Sequence, residues 1–344
     1  RDLQREVSAN NSLIEVLLTR YKQVSAQEQI QQPDARVVSA ALPAVNPSFP
    51  RMSLHLPLVC GGALLFGTGL AFALEMARHG FKGPHEVEAE CDLPSLGSVP
   101  AVPRRWPRIA APQNLVIDHP RSNFAEAIGY VRNSIQAHGV AAHASVKTLL
   151  VTSCLPREGK SVLSVSLARS FSSVGLRTLL IDCDLRNPSV IRLIGAESQG
   201  ASLSRVLERE VHWQDGITQD PNSPLEVMGA PSPVLAPHAV VASPAMCALI
   251  DLCRSHYDVV ILDTPPITAV SDALILSRWV DATVLAVRWG VTPREIAKTA
   301  LNKLFQSGAR LCGAVLTQVD MRHGIFSPAE IEYYYKKNKS YYAD

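Results

Sequence analysis

The residues Cys154 to Ser161, CLPREGKS, put a lysine and a serine at the end of a loop that carries proline and glycine. The apolar run TLLVTS precedes the loop and a helical pattern follows it. In that setting the loop N–H groups and the helix N-terminus can face phosphate oxygens. Lys160 would reach the β- and γ-phosphates of a nucleotide, and the Ser161 hydroxyl would bind Mg2+. Cys154 stands where the pattern usually opens with glycine. Two further apolar runs end in acid. LLIDCDLR places Asp182 and Asp184 at one strand end, and VVILDTPP places Asp263 at another. A buried strand finishing in aspartate can hold Mg2+ directly or through water. Taken singly, each aspartate also fits a helix N-cap, and a bare GKS triplet is common. Together in one sheet, the three elements read as a nucleotide-phosphate site.

Such groups need a sheet to converge. Strand-like runs are read at Thr148–Ser153, Thr178–Cys183, Leu225–Met228, Val259–Asp263, Ala282–Val287 and Leu311–Thr317. Several are continuously apolar, as strands covered on both faces must be. Helical patterns lie between them, including Val162–Val174, closed by Gly175, and Arg294–Ser307, ended near Gly308. The alternation predicts an α/β fold with a P-loop and a doubly wound, mostly parallel sheet, with ligands at the carboxyl ends of its strands.

Ahead of that domain, Leu54–Leu74 holds no Asp, Glu, Lys or Arg and is long enough for a helix to cross a bilayer. Its glycines, Gly61, Gly62, Gly67 and Gly69, are tolerated in lipid. Cations are denser after the run (Arg78, Lys82, Arg104, Arg105, Arg108) than before it, so the C-terminal side is predicted to be cytoplasmic. Residues 1–30 carry Leu3, Val7, Ile14, Leu17, Leu18, Tyr21 and Val24 at helical spacing, a possible coiled helix. The chain opens on Arg1 inside this pattern and reads as part of something longer. Prolines crowd 33–50 and 75–120, and the latter is read as a linker.

Composition narrows the classes. Of the 344 residues 47% are apolar and 19% charged, which excludes a disordered chain. A net charge of +2 without a basic, aromatic-studded stripe excludes a nucleic-acid binder. The seven cysteines form no CxxC pair or zinc spacing and read as small core residues in a reducing compartment. Five of eight tyrosines, Tyr333, Tyr334, Tyr335, Tyr341 and Tyr342, lie in the last twelve residues among lysines. That segment is too polar for a core strand. It reads as a phosphoacceptor cluster, or as a docking end. Each phosphate would add roughly −1.5 to −2 charges.

TSCLPREGKS, LLIDCDLR and VVILDTPP resemble the Walker A, A′ and B motifs of the bacterial tyrosine kinases fused to Wzz-type polysaccharide co-polymerases. The proline-rich segment before the span and the TPREIAKTALNKL stretch are similar to the same family, so the likeness covers essentially the whole chain. The resemblance implies ATP-dependent autophosphorylation of the tail, in trans within a ring-shaped homo-oligomer. It also implies control of exopolysaccharide or capsule chain length, with the export machinery and a tyrosine phosphatase as partners. Pro156, Arg157, Glu158, Gly159, Lys160, Ser161, Val162 and Asp263 would bind ATP. Ser161, Asp182 and Asp263 would hold Mg2+, with Lys160, Asp182 and Asp184 catalytic and Asp184 a candidate base. Two positions depart from the family: Arg157, often glycine, and Gly129, where the oligomerisation helix has arginine.

The predicted order is a periplasmic co-polymerase end (1–53), a transmembrane helix (54–74), a cytoplasmic linker (75–120), the kinase domain (121–325) and the tail (326–344). Two other readings share the motifs: a partitioning ATPase of the MinD/ParA kind, or a chain-length scaffold with a silent nucleotide site. The first typically carries a second lysine early in the loop, which Ser153–Pro156 lacks. The second conflicts with a full set of lysine and acids.

Overall fold

The structure, a computed structural model, describes residues 2–28, 52–76, 80–102, 111–141, 145–197 and 202–321. The chain divides into two compact units, Arg1–Leu70 and Ala71–Asp344.

The first unit is helical. Helix α1 (Asp2–Glu28) leaves Leu3, Val7, Ile14, Leu17, Leu18, Tyr21 and Val24 exposed, the face that the spacing predicts. Helix α2 (Met52–Met76) contains the predicted span and runs across the boundary between the units. Within it, His55–Phe72 is the one stretch among the described residues long and apolar enough to cross a membrane.

The second unit follows in the order α3 (Pro84–Cys91), β1 (Ser95–Pro100), a 3-10 turn (Pro112–Asn114), α4 (Leu115–Asp118), α5 (Asn123–Ala141), β2 (Thr148–Ser153), α6 (Lys160–Ser173), β3 (Thr178–Asp182), α7 (Val190–Ile194), α8 (Leu203–Leu207), β4 (Ile217–Gln219), β5 (Glu226–Met228), α9 (Pro237–Val241), α10 (Pro244–His256), β6 (Val259–Asp263), α11 (Asp272–Leu276), β7 (Ala282–Arg288), α12 (Arg294–Gln306) and β8 (Leu311–Val319). Eight strands form one sheet, ordered β1-β8-β7-β2-β6-β3-β5-β4, and only β4 runs antiparallel to its neighbour. Every residue of β2, β3 and β6 is buried, so their unbroken apolar runs fill both faces. One core layer joins Leu149, Val151, Leu180 and Ile261 to α5 and α6 through Ile128, Val131, Leu163 and Phe171. Helices α8 and α10 meet the sheet through Leu203, Met246 and Ile250. Helix α12 buries Ala297, Ala300, Leu301 and Leu304, one stripe of a helix.

The segment 75–120, predicted as a linker on its prolines, is largely built into this domain. Leu96 and Val99 are buried, and β1 pairs in parallel with β8. Phe81 is fully buried, and Gly80 lies so close to Gly290 that a Cβ would come within 2.4 Å of its carbonyl carbon. Glu86 and Glu90 of α3 pair with Arg294 and Lys298 of α12 at 2.7–3.2 Å. Proline excludes helix interiors and central strands, but it permits the edge strand found here.

On α5, Gly129 faces open space, while Arg132 donates to the Ser170 carbonyl at 3.0 Å and its hydroxyl at 3.2 Å. The arginine that remains of the predicted oligomerisation pattern is thus engaged within its own chain.

A buried cation ties these layers together. Arg169 of α6 is fully buried and donates to both oxygens of Asp220 at 2.7 and 3.0 Å. Its other nitrogen donates to the Gln113 carbonyl and to Asn114 Oδ1, and Gln113 donates in turn to the Leu193 carbonyl of α7. Removing one partner of such a pair leaves an uncompensated buried charge. Asp220→Ala is expected to cost about 3–5 kcal/mol, read as a lowered unfolding midpoint by circular dichroism.

Candidate active site

The carboxyl ends of β2, β6 and β3 carry the chemistry. Parallel register places Val151 beside Asp263, and Asp263 beside Asp182. Two acids are therefore neighbours because three apolar strands end at the same level. Strand β2 continues into the 154–159 loop, and α6 starts at Lys160 directly after Gly159, whose φ of +86° suits glycine.

Lys160 is the meeting point. Its Nζ lies 2.8 Å from Asp184 Oδ2, 3.1 Å from Ser161 Oγ and 3.6 Å from Asp263 Oδ2. Burial alone would pull this ammonium's pKa down, but the charges of Asp263 and Asp184 outweigh it and raise the pKa. Asp263 is fully buried, and Ser164 Oγ donates to its Oδ1 at 3.0 Å. Its Oδ2 has no hydrogen-bond partner.

Asp182 is placed differently from the other acids. Its Oδ1 accepts the Asp184 N–H at 3.1 Å, and its Oδ2 accepts the Ser189 and Val190 N–H groups at 2.9 and 3.0 Å. It thus holds the loop that presents Asp184 to Lys160 and the start of α7. Burial and then the Asp263 charge raise its pKa to about 7, against those N–H donors. Burial raises Asp263 as well.

Three acids stand beside one ammonium, so ionising all three would leave two negative charges uncompensated. A divalent cation fits that excess, and Asp263 Oδ2, which accepts no hydrogen bond and meets only the Lys160 charge at 3.6 Å, is the oxygen suited to ligate it. Among the described residues no three His, Cys, Asp or Glu side chains are grouped to hold a metal alone. That suits Mg2+, which is commonly held by one or two carboxylates together with substrate phosphates and water.

The remaining predicted residues separate. Pro156 and Arg157 are exposed, Ser161 and Val162 are half-buried, and Glu158 is buried with its carboxylate turned into the protein. Tyr333, Tyr334, Tyr335, Tyr341 and Tyr342 lie outside the described residues. Two residues, Ser164 and Asp272, were not legible in the motifs. Ser164 sits one helical turn after Lys160, a spacing that could have flagged it. Asp272 pairs with Arg186 at 3.5 Å and His238 at 3.1 Å, joining three distant segments that no local signal connects.

Strand, phosphate loop and helix, flanked by acid-ended strands, define this domain as a P-loop nucleotide-binding α/β domain. An AAA domain family model matches residues 158–287. The chain is 28% identical to the succinoglycan biosynthesis transport protein ExoP of Rhizobium meliloti, over 99% of this chain and 47% of that protein. It is 27% identical to the tyrosine-protein kinase ptk of Acinetobacter johnsonii, over 92% of this chain and 44% of that one. The solved kinase domain of the Escherichia coli tyrosine kinase ETK superposes with a TM-score of 0.64 at 25% identity, covering 72% of this chain and 98% of that domain. The relatives of this chain thus include named bacterial tyrosine-protein kinases, as the motifs suggest, and its α/β domain matches the ETK kinase domain. The chain spans less than half the length of the curated relatives described here.

The raised acids set a direction for stability against pH. A carboxyl with a raised folded pKa keeps a proton between about pH 4 and 7 that the unfolded chain releases. Stability should therefore fall as pH rises through that window, measured as unfolding temperature with metal chelated. Asp263→Asn removes the neighbouring charge and should flatten the slope.

Proposed function

We propose that this chain is the membrane-attached catalytic part of a bacterial tyrosine autokinase that regulates exopolysaccharide chain length and export. The observation that carries the reading is Lys160, held between Asp184 and Asp263 at the carboxyl edge of the sheet. That edge is where a doubly wound fold binds ligands. The kinship with ExoP, a succinoglycan biosynthesis transport protein, and ptk, a tyrosine-protein kinase, supports the biological assignment.

The proposed reaction moves the γ-phosphoryl group of ATP to a tail tyrosine hydroxyl. The tyrosine oxygen forms the new P–O bond, the bond to the β-phosphate oxygen breaks, and ADP leaves. Lys160 exchanges its carboxylate contacts for phosphate oxygens and offsets their charge. Asp184, freed by that exchange, is the acceptor placed for the tyrosine proton. Asp182 keeps Asp184 in position through three backbone N–H groups. Ser161 and Asp263 are the residues that would hold Mg2+, whose chemistry there is to neutralise charge on the transferring group. The loop N–H groups and the start of α6 complete the phosphate cradle.

The excess of cations after α2 supports an inner-membrane protein with its kinase domain in the cytoplasm. The proposed partners are further copies of the chain, the polysaccharide export machinery and a tyrosine phosphatase.

Lys160→Met should lower tail phosphotyrosine at least about a hundredfold, with unchanged circular dichroism. Mass spectrometry of the tail after incubation with Mg-ATP reads the result. Tail phosphorylation persisting in that variant would refute the site, and ATP hydrolysis without phosphotyrosine in the wild type would favour a simple ATPase.

A further inference from the structure

We propose that Thr292 and Gln318, outside all three nucleotide motifs, are positioning residues that hold the phosphate loop in shape from behind. The inference rests on the nucleotide reading of residues 154–161. The loop has two sides. One presents Lys160 to the acids. The other lies against the β7–α12 connection and the end of β8.

Four hydrogen bonds define that second side. Leu155 N–H donates to Glu158 Oε2 at 2.8 Å, closing the loop on itself. The Thr292 hydroxyl donates to Glu158 Oε1. Thr317 Oγ1 donates to the Glu158 carbonyl at 2.5 Å, and Gln318 Nε2 donates to the Arg157 carbonyl at 3.1 Å. The direction of the Thr292 bond follows from its surroundings. Thr292 Oγ1 already accepts the Arg288 N–H at 2.9 Å, so its proton is left for Glu158.

Glu158 is only 2% exposed, yet the donors that meet its carboxylate among the described residues are backbone N–H groups and a hydroxyl. Charge pairing therefore does not explain why a carboxylate is buried there. Shape does: it ties the two ends of the four-residue turn Leu155–Glu158 together and anchors them to Thr292. Without the Thr292 hydroxyl, a buried carboxylate loses one of its donors, and turning Glu158 out to water would open the turn.

The backbone gives an independent sign. Arg157 has a φ of +65° and Gln318 a φ of +55°, both in the left-handed region that favours glycine, and one hydrogen bond joins them. Strained residues persist where their surroundings enforce them and gather at functional sites. Gly159 shares the arrangement: a Cβ there would lie 3.4 Å from Gln318 Nε2. Residues of β8 therefore fix the path of the loop just before Lys160. With its shape set beforehand, ligand binding need not order the loop.

The test uses the full chain in detergent, titrated with Mg-ATP. Thr292→Val keeps the side-chain shape and removes the hydroxyl; Thr292→Ser keeps the hydroxyl. The Kd and KM for ATP should both rise about tenfold in Thr292→Val and return close to the wild-type values in Thr292→Ser. Gln318→Ala should weaken binding in the same direction. The nucleotide-free unfolding temperature should stay at the wild-type value in Thr292→Ser and Gln318→Ala, and fall only modestly in Thr292→Val, which takes one donor from a buried carboxylate. Unaltered affinity in Thr292→Val and Gln318→Ala overturns the proposal, as does a loss that Thr292→Ser fails to reverse. So does a fall in unfolding temperature that accounts for the loss. If Thr292→Val does not fold, Gln318→Ala tests the same brace, because its side chain is partly exposed. A wild-type chain that binds no Mg-ATP overturns the nucleotide reading itself, a failure visible before any variant is made.

Discussion

The carboxyl edge of the sheet depends on one ammonium among acids. Lys160 touches Asp184 and stands within ion-pair distance of Asp263, while Asp182 lies in register beside Asp263. Burying acids together is costly, because desolvation and mutual repulsion both disfavour the charged forms. One lysine offsets part of that cost. The remaining negative charge makes the edge receptive to a divalent cation and its phosphates. Stability and function thus pull on the same groups.

The scaffold makes this juxtaposition unavoidable. Strands β2, β6 and β3 are buried on both faces, so no slip in register could expose their side chains without loss of core. Around them the layers are tied at chosen points. Arg169 draws together the phosphate-loop helix, the Asp220 loop and the Pro112–Asn114 turn. The residues just after α2 lie against the same β7–α12 connection that contacts the loop through Thr292: the Gly290 N–H donates to the Phe81 carbonyl, and Trp289 Nε1 to the Lys82 carbonyl. The chain that follows α2 is thus packed one connection away from the phosphate loop.

The acids divide the work by their surroundings. Asp184 meets the lysine, Asp263 keeps an oxygen without a hydrogen-bond partner, and Asp182 is occupied by the backbone. Sequence position alone makes Asp182 and Asp184 look equivalent, two apart at one strand end. The turn after β3 separates them, since it must satisfy its own N–H groups and takes Asp182 to do so. Asp182 therefore receives the N–H groups that open α7 from outside that helix, while Asp184 is left to meet the lysine.

The sequence by itself determined the alternating α/β order, the apolar helix α2, and the three motif segments that meet at one edge. Those features are written in local patterns: continuous apolar runs for strands covered twice, a proline- and glycine-bearing loop before a helix, charges where burial ends. The strand β1 escaped notice because prolines around it read as linker, and only pairing with β8 makes Ser95–Pro100 a strand. Ser164, Asp272, Thr292 and Gln318 escaped because each acts on a partner far along the chain or carries no motif. Tertiary structure decided those contacts for a physical reason: a buried polar group must find a partner in space, and spacing in sequence does not say where folding will put one.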